Sequence, residues 1–202
     1  MGNFKRKTSR KNIKQVKHNM RCKNSLENKT KKQVAAEFFK QAISDRAIEE
    51  QTIADTLIIF IYSLNKVYGF GRQRIDRFFQ KATLTASCIR GGYVIFDDLQ
   101  TMLKQEAKYK YYRMNINDLK TREQKVKMRV IEEMTLIYIF SVMDVFEFRE
   151  KRICRLVKAM GEIGQELTAK KYTIDDIEKY LWEKVHVNFD HDFSHVNNEG
   201  AA

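Results

Sequence analysis

The stretch that decides the fold is residues 53–106, IADTLIIFIYSLNKVYGFGRQRIDRFFQKATLTASCIRGGYVIFDDLQTMLKQE, because its pattern returns 78 residues later in residues 131–184. Aligned without a gap, 12 of the 54 columns are identical: Ile53/Ile131, Ile59/Ile137, Ile61/Ile139, Ser63/Ser141, Val67/Val145, Phe70/Phe148, Arg74/Arg152, Ile75/Ile153, Arg77/Arg155, Asp97/Asp175, Asp98/Asp176 and Leu103/Leu181. Random pairing at this composition gives about three or four identities, so the sequence reads as a tandem duplication. Tyr62/Phe140, Tyr68/Phe146, Phe96/Ile174 and Leu99/Ile177 are conservative exchanges.

Within the first copy, Ile53, Leu57, Ile61 and Leu64 fall at helical spacing. Gly69-Phe70-Gly71 ends that helix, since glycine takes the left-handed conformation of a helix C-cap without steric cost. A second helix is expected from Arg72 to Arg90, closed by Gly91-Gly92. Tyr93–Phe96 reads as a short extended piece, and Asp97 or Asp98 caps a third helix to about Glu106. Such a unit does not bury its apolar face alone, so two copies are expected to pack together about a pseudo-twofold axis. The expected fold is all-α, one compact helical bundle built from a duplicated helix-turn-helix-plus-short-helix unit.

Outward from the repeats, the charge is uneven. Residues 1–34 carry twelve Lys or Arg against the single acid Glu27, and so hold +11 of the net +12. Residues 1–30 have almost no apolar periodicity and read as a flexible basic arm. Helical pattern begins at Lys31, with Val34, Phe38, Phe39 and Ile43 on one side and an N-cap at Ser44-Asp45. The expected organisation is a basic arm at 1–30, repeat 1 with its leading helix at 31–106, a basic aromatic linker and helix start at 107–130, repeat 2 at 131–184, and a tail at 185–202. The chain has no proline, which suits long helices. Its most apolar runs, Ile53–Leu64 and Met134–Val145, are far short of the about twenty residues of a bilayer span. The three cysteines are scattered and in no CxxC spacing, which favours a reducing cytoplasm, that of a host cell if the chain is phage-encoded.

Three features carry candidate chemistry. The arm, with Lys5, Arg6, Lys7, Arg10, Lys11 and Lys14, suits phosphate neutralisation with counterion release. The inter-repeat segment 104–129 holds nine cations against three acids, and its Lys108-Tyr109-Lys110-Tyr111-Tyr112-Arg113 run sets cations beside stackable rings. Tyr109 and Tyr111 are the expected stacking residues, with Lys108, Lys110 and Arg113 on phosphates. The turn Tyr68–Arg74 places Arg72 and Arg74 at the start of a helix, as a DNA-reading helix would. Its Gly-x-Gly is no nucleotide fingerprint, because no strand precedes it and the third glycine is missing. The plainer reading of Arg74, Arg77, Arg152 and Arg155 is an internal contact with the recurring aspartates.

No catalytic constellation is present in the sequence, so no enzyme and no cofactor are expected. Paired acids Asp97-Asp98 and Asp175-Asp176 fit helix caps better than acid–base work. His186, His191 and His195, with Asp190 and Asp192, lack the spacing of a metal site, and no metal is expected.

The repeat centred on Tyr68-Gly69-Phe70-Gly71-Arg72-Gln73-Arg74-Ile75, with Gly92-Tyr93-Val94 and Asp97, resembles small helical proteins of unassigned role from phages and prophages of low-GC Gram-positive bacteria. That resemblance implies a mobile-element origin and no particular chemistry. The leading expectation is a non-enzymatic nucleic-acid-binding accessory or regulatory protein of phage type, with DNA or RNA as partner. Its rival is a phage inhibitor or adaptor that meets an acidic host protein, such as a defence factor. No membrane partner is expected, and a homodimer is the further partner option.

Overall fold

The computed structural model describes residues 4–113 and 115–189, with side chains described at residue 33 and from 36 on, apart from 117. The chain divides into two units, residues 1–47 and 48–202. Its α-helices are α1 (Phe4–Tyr68), α2 (Arg72–Arg90), α3 (Phe96–Met102), α4 (Arg122–Phe146), α5 (Glu150–Thr168) and α6 (Ile174–Val185). A π-helical turn, Leu103–Ala107, prolongs α3, and a 3-10 turn, Ile116–Asp118, precedes α4. There is no strand among the described residues, so the all-α expectation holds.

The first unit is the leading part of α1. The expected basic arm has helical backbone from Phe4, and the side chains of Lys5, Arg6, Lys7, Arg10, Lys11 and Lys14 lie outside the described ones. Helix α1 runs through Ser44-Asp45, which corrects the N-cap expected there. No glycine or proline stands between Gly2 and Gly69, and a mid-helix Ser or Asp costs only about 0.5 kcal/mol against Ala. Phe38, Phe39 and Ile43, which the helical pattern sets on one side, are exposed.

The second unit starts with the rest of α1 and holds the core. Helices α2 and α3 pack on α4, while α5 and α6 bond to α1: Tyr68 Oη donates to the Arg152 carbonyl at 2.7 Å, and Tyr180 Oη to Asn65 Oδ1 at 3.2 Å. Each long helix is thus covered by short helices from the other half of the sequence. Phe60, Phe78, Leu64, Ile75, Ile139, Ile153, Leu156 and Leu181 are fully buried. The buried hydroxyls of Thr52, Thr56, Ser63, Thr85 and Ser141 each donate to the carbonyl four residues back, so burial leaves none unsatisfied.

Elements 78 residues apart coincide. Helices α2 and α5 begin and end at that offset, as do the starts of α3 and α6 and the ends of α1 and α4. Left-handed residues pair in the same way: Gly69 with Glu147 (φ 61° and 53°), Gly92 with Lys170 (73° and 53°), Lys108 with His186 (57° and 60°). The rings of Tyr68, Phe70, Phe146 and Phe148 form a quartet that is unchanged by exchanging partners 78 apart. Tyr68–Phe148 and Phe70–Phe146 are both at 4.8 Å between centroids, and Tyr68–Phe70 and Phe146–Phe148 are at 6.4 and 6.5 Å. That is a local twofold arrangement. The self-related pairs Phe60–Tyr138 at 5.1 Å and Phe70–Phe148 at 6.1 Å mark its axis.

At the C-terminus, Val187 is 3% exposed and packs into the core with Phe189, so the expected tail is part of the fold as far as residue 189. His191, His195, Asp190 and Asp192 lie outside the described residues.

Candidate nucleic-acid interface

The inter-repeat segment leaves α3 through the π-helical turn, and Lys108 takes a left-handed conformation that turns the chain back. The Tyr109 amide then donates to the Leu103 carbonyl at 3.2 Å. From Lys108 to Arg113 the chain has no helix, so side chains alternate in direction. Tyr109 and Tyr111 turn inward and pack against the core. Tyr111 Oη donates to the Glu132 carbonyl at 2.9 Å. Burial pushes both phenols above their usual pKa, with Glu132 and Tyr109 adding to the rise at Tyr111 and Arg113 opposing it. These two rings have little face left for a base, contrary to the stacking role expected of them.

Lys110 and Tyr112 turn outward. The Tyr112 ring is 73% exposed, and the Lys110 ammonium lies over it, 5.0 Å from the centroid. Lys104, Lys108 and Lys110 are exposed and have no carboxylate partner among the described residues. Arg113 is held back: Nη2 donates to Asp97 Oδ1 at 2.9 Å, and the Gln100 amide oxygen, turned toward the guanidinium, accepts from Nη2 and Nε at 3.0 and 2.8 Å. Sequence reasoning missed Tyr112 as the outward ring. The signal was the period of two in an extended run bounded by inward tyrosines.

The second cationic cluster surrounds the ring quartet, where the two helix turns converge. Arg74 lies over Phe70, Arg152 over Phe148 and Arg77 over Phe146, with guanidinium-to-centroid distances of 5.4, 5.6 and 5.3 Å. Arg155 and Arg152 bring positive charge to the Tyr68 phenol, but burial outweighs them and its pKa is raised. A crevice of about 450 Å³ opens between Arg74 on one side and Lys151, Arg152 and Arg155 on the other, floored by Tyr68, Phe70 and Phe148. Glu147 and Glu150 border a neighbouring hollow with Arg149, whose Nη1 donates to the Glu106 carbonyl at 2.8 Å.

The recurring arginines do not contact the recurring aspartates, which corrects that part of the sequence reading. Asp97 holds Arg113, Asp98 accepts the Ile95 amide at 3.0 Å, and Asp176 accepts the Thr173 amide and hydroxyl at 2.8 Å each. The cause is position: a carboxylate in the first turn of a helix finds free amides beside it, whereas the arginines start helices that follow an aromatic turn. Arg72 is likewise engaged. It pairs with Asp76 at 2.9 Å and donates to the His186 carbonyl, so it does not project as a base-reading side chain.

Among the described residues no three His, Cys, Asp or Glu side chains gather as metal ligands, and no helix is long and apolar enough to cross a membrane. Comparison with protein-family models, with curated proteins and with solved structures returns no match to this chain.

Proposed function

We propose that this is a nucleic-acid-binding accessory or regulatory protein of phage type, without enzymatic activity, that holds phosphates through its basic N-terminal residues and its inter-repeat segment. The observation that carries the reading is the outward Lys110–Tyr112 pair, flanked by Lys104 and Lys108, all exposed, with no carboxylate partner for these lysines among the described residues. An exposed ring takes the face of an unpaired base, and neighbouring ammonium groups take the phosphates on either side. A contact of this kind tolerates many sequences and weakens with salt. Arg113, pinned by Asp97, shapes the segment rather than meeting ligand.

A second reading, a protein-binding adaptor, draws on Phe38, Phe39 and Ile43, exposed at 69%, 72% and 59%. The test is fluorescence anisotropy of the full chain with labelled single- and double-stranded oligonucleotides across a salt series. Binding that weakens steeply with salt, and falls in Tyr112→Ala and in Lys108→Gln/Lys110→Gln, supports the first reading. No binding to either strand form at physiological salt overturns it and favours the adaptor.

A further inference from the structure

We infer that the crevice between the two helix turns is a second phosphate seat, one that takes internal phosphodiesters of a nucleic acid and reads no bases. The inference rests on the nucleic-acid reading above and assigns its own surface, separate from the inter-repeat segment.

Four arguments converge on it. The first is charge without partner. Arg74, Arg77, Arg152, Arg155 and Lys151 are all exposed, and none has a carboxylate partner among the described residues. Surface arginines with acids in reach ordinarily pair with them, as Arg129 does with Glu49 and Arg113 with Asp97 here.

The second is preorganisation. Three of these guanidinium groups lie against ring faces of the quartet at 5.3 to 5.6 Å. Stacking restrains a flexible side chain before ligand arrives, which reduces the entropy lost on binding. The guanidinium edges remain free to donate, and the planar fork of N–H groups matches the oxygens of a phosphate.

The third is that the cations stand where fold stability disfavours them. Arg74 is in the first turn of α2, which contains no acid, and Lys151 and Arg152 are in the first turn of α5 beside the single acid Glu150. A helix N-terminus carries partial positive charge, so a cation there costs stability by an amount similar to what an acid would contribute. The caps Gly71 and Arg149 give these helices no side-chain acceptor, whereas Thr121 and Thr173 cap α4 and α6. A side-chain cap is thus used at α4 and α6 and not at the crevice. An anion bound between the turns would meet both helix ends and the arginines together.

The fourth concerns ligand class. Phe70 and Phe148, the crevice floor, are each 3% exposed, so no base can stack on them. The charged groups the crevice presents are guanidinium and ammonium, which select phosphate and leave sequence unread, while Tyr68, the half-buried third ring of the floor, gives its hydroxyl to the Arg152 carbonyl. The local twofold sets Arg74 against Arg152 across the crevice, with Lys151 and Arg155 beside the second.

The experiment uses the full chain, a labelled duplex of mixed sequence and a labelled single strand, with anisotropy followed from low to high salt. Three variants are compared: Arg74→Gln/Arg152→Gln in the crevice, Lys108→Gln/Lys110→Gln in the inter-repeat segment, and Lys158→Gln/Lys171→Gln, which removes two charges paired with Glu162 and Glu166, outside both surfaces. Loss of two phosphate contacts lowers the slope of log K against log salt by about 1.8, at roughly 0.9 per contact. That loss in the crevice variant, with the Lys158/Lys171 variant unchanged, is the expected result. A crevice variant that binds with the wild-type slope, while the inter-repeat variant weakens, overturns this inference and leaves the nucleic-acid reading standing. No binding by the wild type removes both. Arg74→Lys/Arg152→Lys guards against a folding artefact, because it keeps the charges and should keep most of the slope. If it loses the slope while far-UV circular dichroism and thermal midpoint stay those of the wild type, the loss is in ring-held geometry and the seat stands. If it keeps the slope but the Gln variant melts early, binding of the Gln variant is read well below its midpoint, where the same slope criterion decides.

Discussion

The paired left-handed positions at the two turns allow a sharp test, because one is Gly69 and the other Glu147. Gly69 has φ +61°, and a Cβ built there meets nothing within 4 Å. Gly69→Ala therefore isolates a backbone effect. Holding a residue with a Cβ in this region costs about 1–2 kcal/mol, and the loss of chain freedom in the unfolded state returns about 0.4–1 kcal/mol. The expected net destabilisation is about 0.5–1 kcal/mol, the difference of those two central values. Glu147 sits at φ +53° and forms no ion pair among the described residues, so Glu147→Gly should stabilise by a similar amount. For a folded unit of this size that is about 1–4 °C in Tm, of opposite sign for the two variants. Urea denaturation followed by circular dichroism at unchanged m-value measures it. Glu147→Gly less stable than wild type would refute the reasoning, since the acid would then hold something that the structure does not assign to it. A neutral or stabilising Gly69→Ala would refute it equally, by removing the supposed strain.

Other outcomes follow from the same geometry. Phe60→Ala, at a fully buried ring stacked 5.2 Å from Phe78 and 5.1 Å from Tyr138, should cost about 3–5 kcal/mol in urea denaturation. On the alkaline side, stability should fall above about pH 10. The folded pKa values of Tyr68, Tyr109, Tyr111 and Tyr138 are all raised by burial, so their contribution is complete below the unfolded value and lost as pH rises through the folded ones. Tyr111→Phe should remove one such group and make the alkaline fall shallower. At the acid end, Asp176 is held below its usual pKa by the Thr173 amide and hydroxyl. Its contribution is present above the unfolded carboxylate value and lost as pH falls through the folded one, so Asp176→Asn should flatten the acid limb of a thermal-melt series.

How far the sequence could be read depends on how local the deciding interaction is. Helix ends at Gly69, Gly71, Gly91 and Gly92 were legible, because glycine marks a turn by its own conformational freedom. Their counterparts at Glu147 and Lys170, and the left-handed Lys108 and His186, carry no such mark. Only the register of the repeat points to the first two. Asp98 and Asp176 were legible as caps, since a cap needs only its neighbours three residues away. No helix starts at Ser44-Asp45, because a cap signal within an unbroken helical run has no force unless something else stops the helix.

The candidate surface was less legible. Sequence alone showed that cations and tyrosines gather at 104–113, since that is composition. It did not show which rings face out, because Tyr109, Tyr111 and Tyr112 differ only in what the core, more than twenty residues away along the chain at Glu132, offers them. The arginines at 74, 77, 152 and 155 stood out in the sequence as recurring residues and were matched to the recurring acids. Tertiary structure put them on the rings instead, because the turns of the two halves meet across a local twofold axis and no aspartate reaches that place. Helicity, repeat spacing and net charge are sums over near neighbours, so one chain of letters determines them. The crevice is a contact between residues 76 to 80 apart in sequence, and only the packed fold decides it.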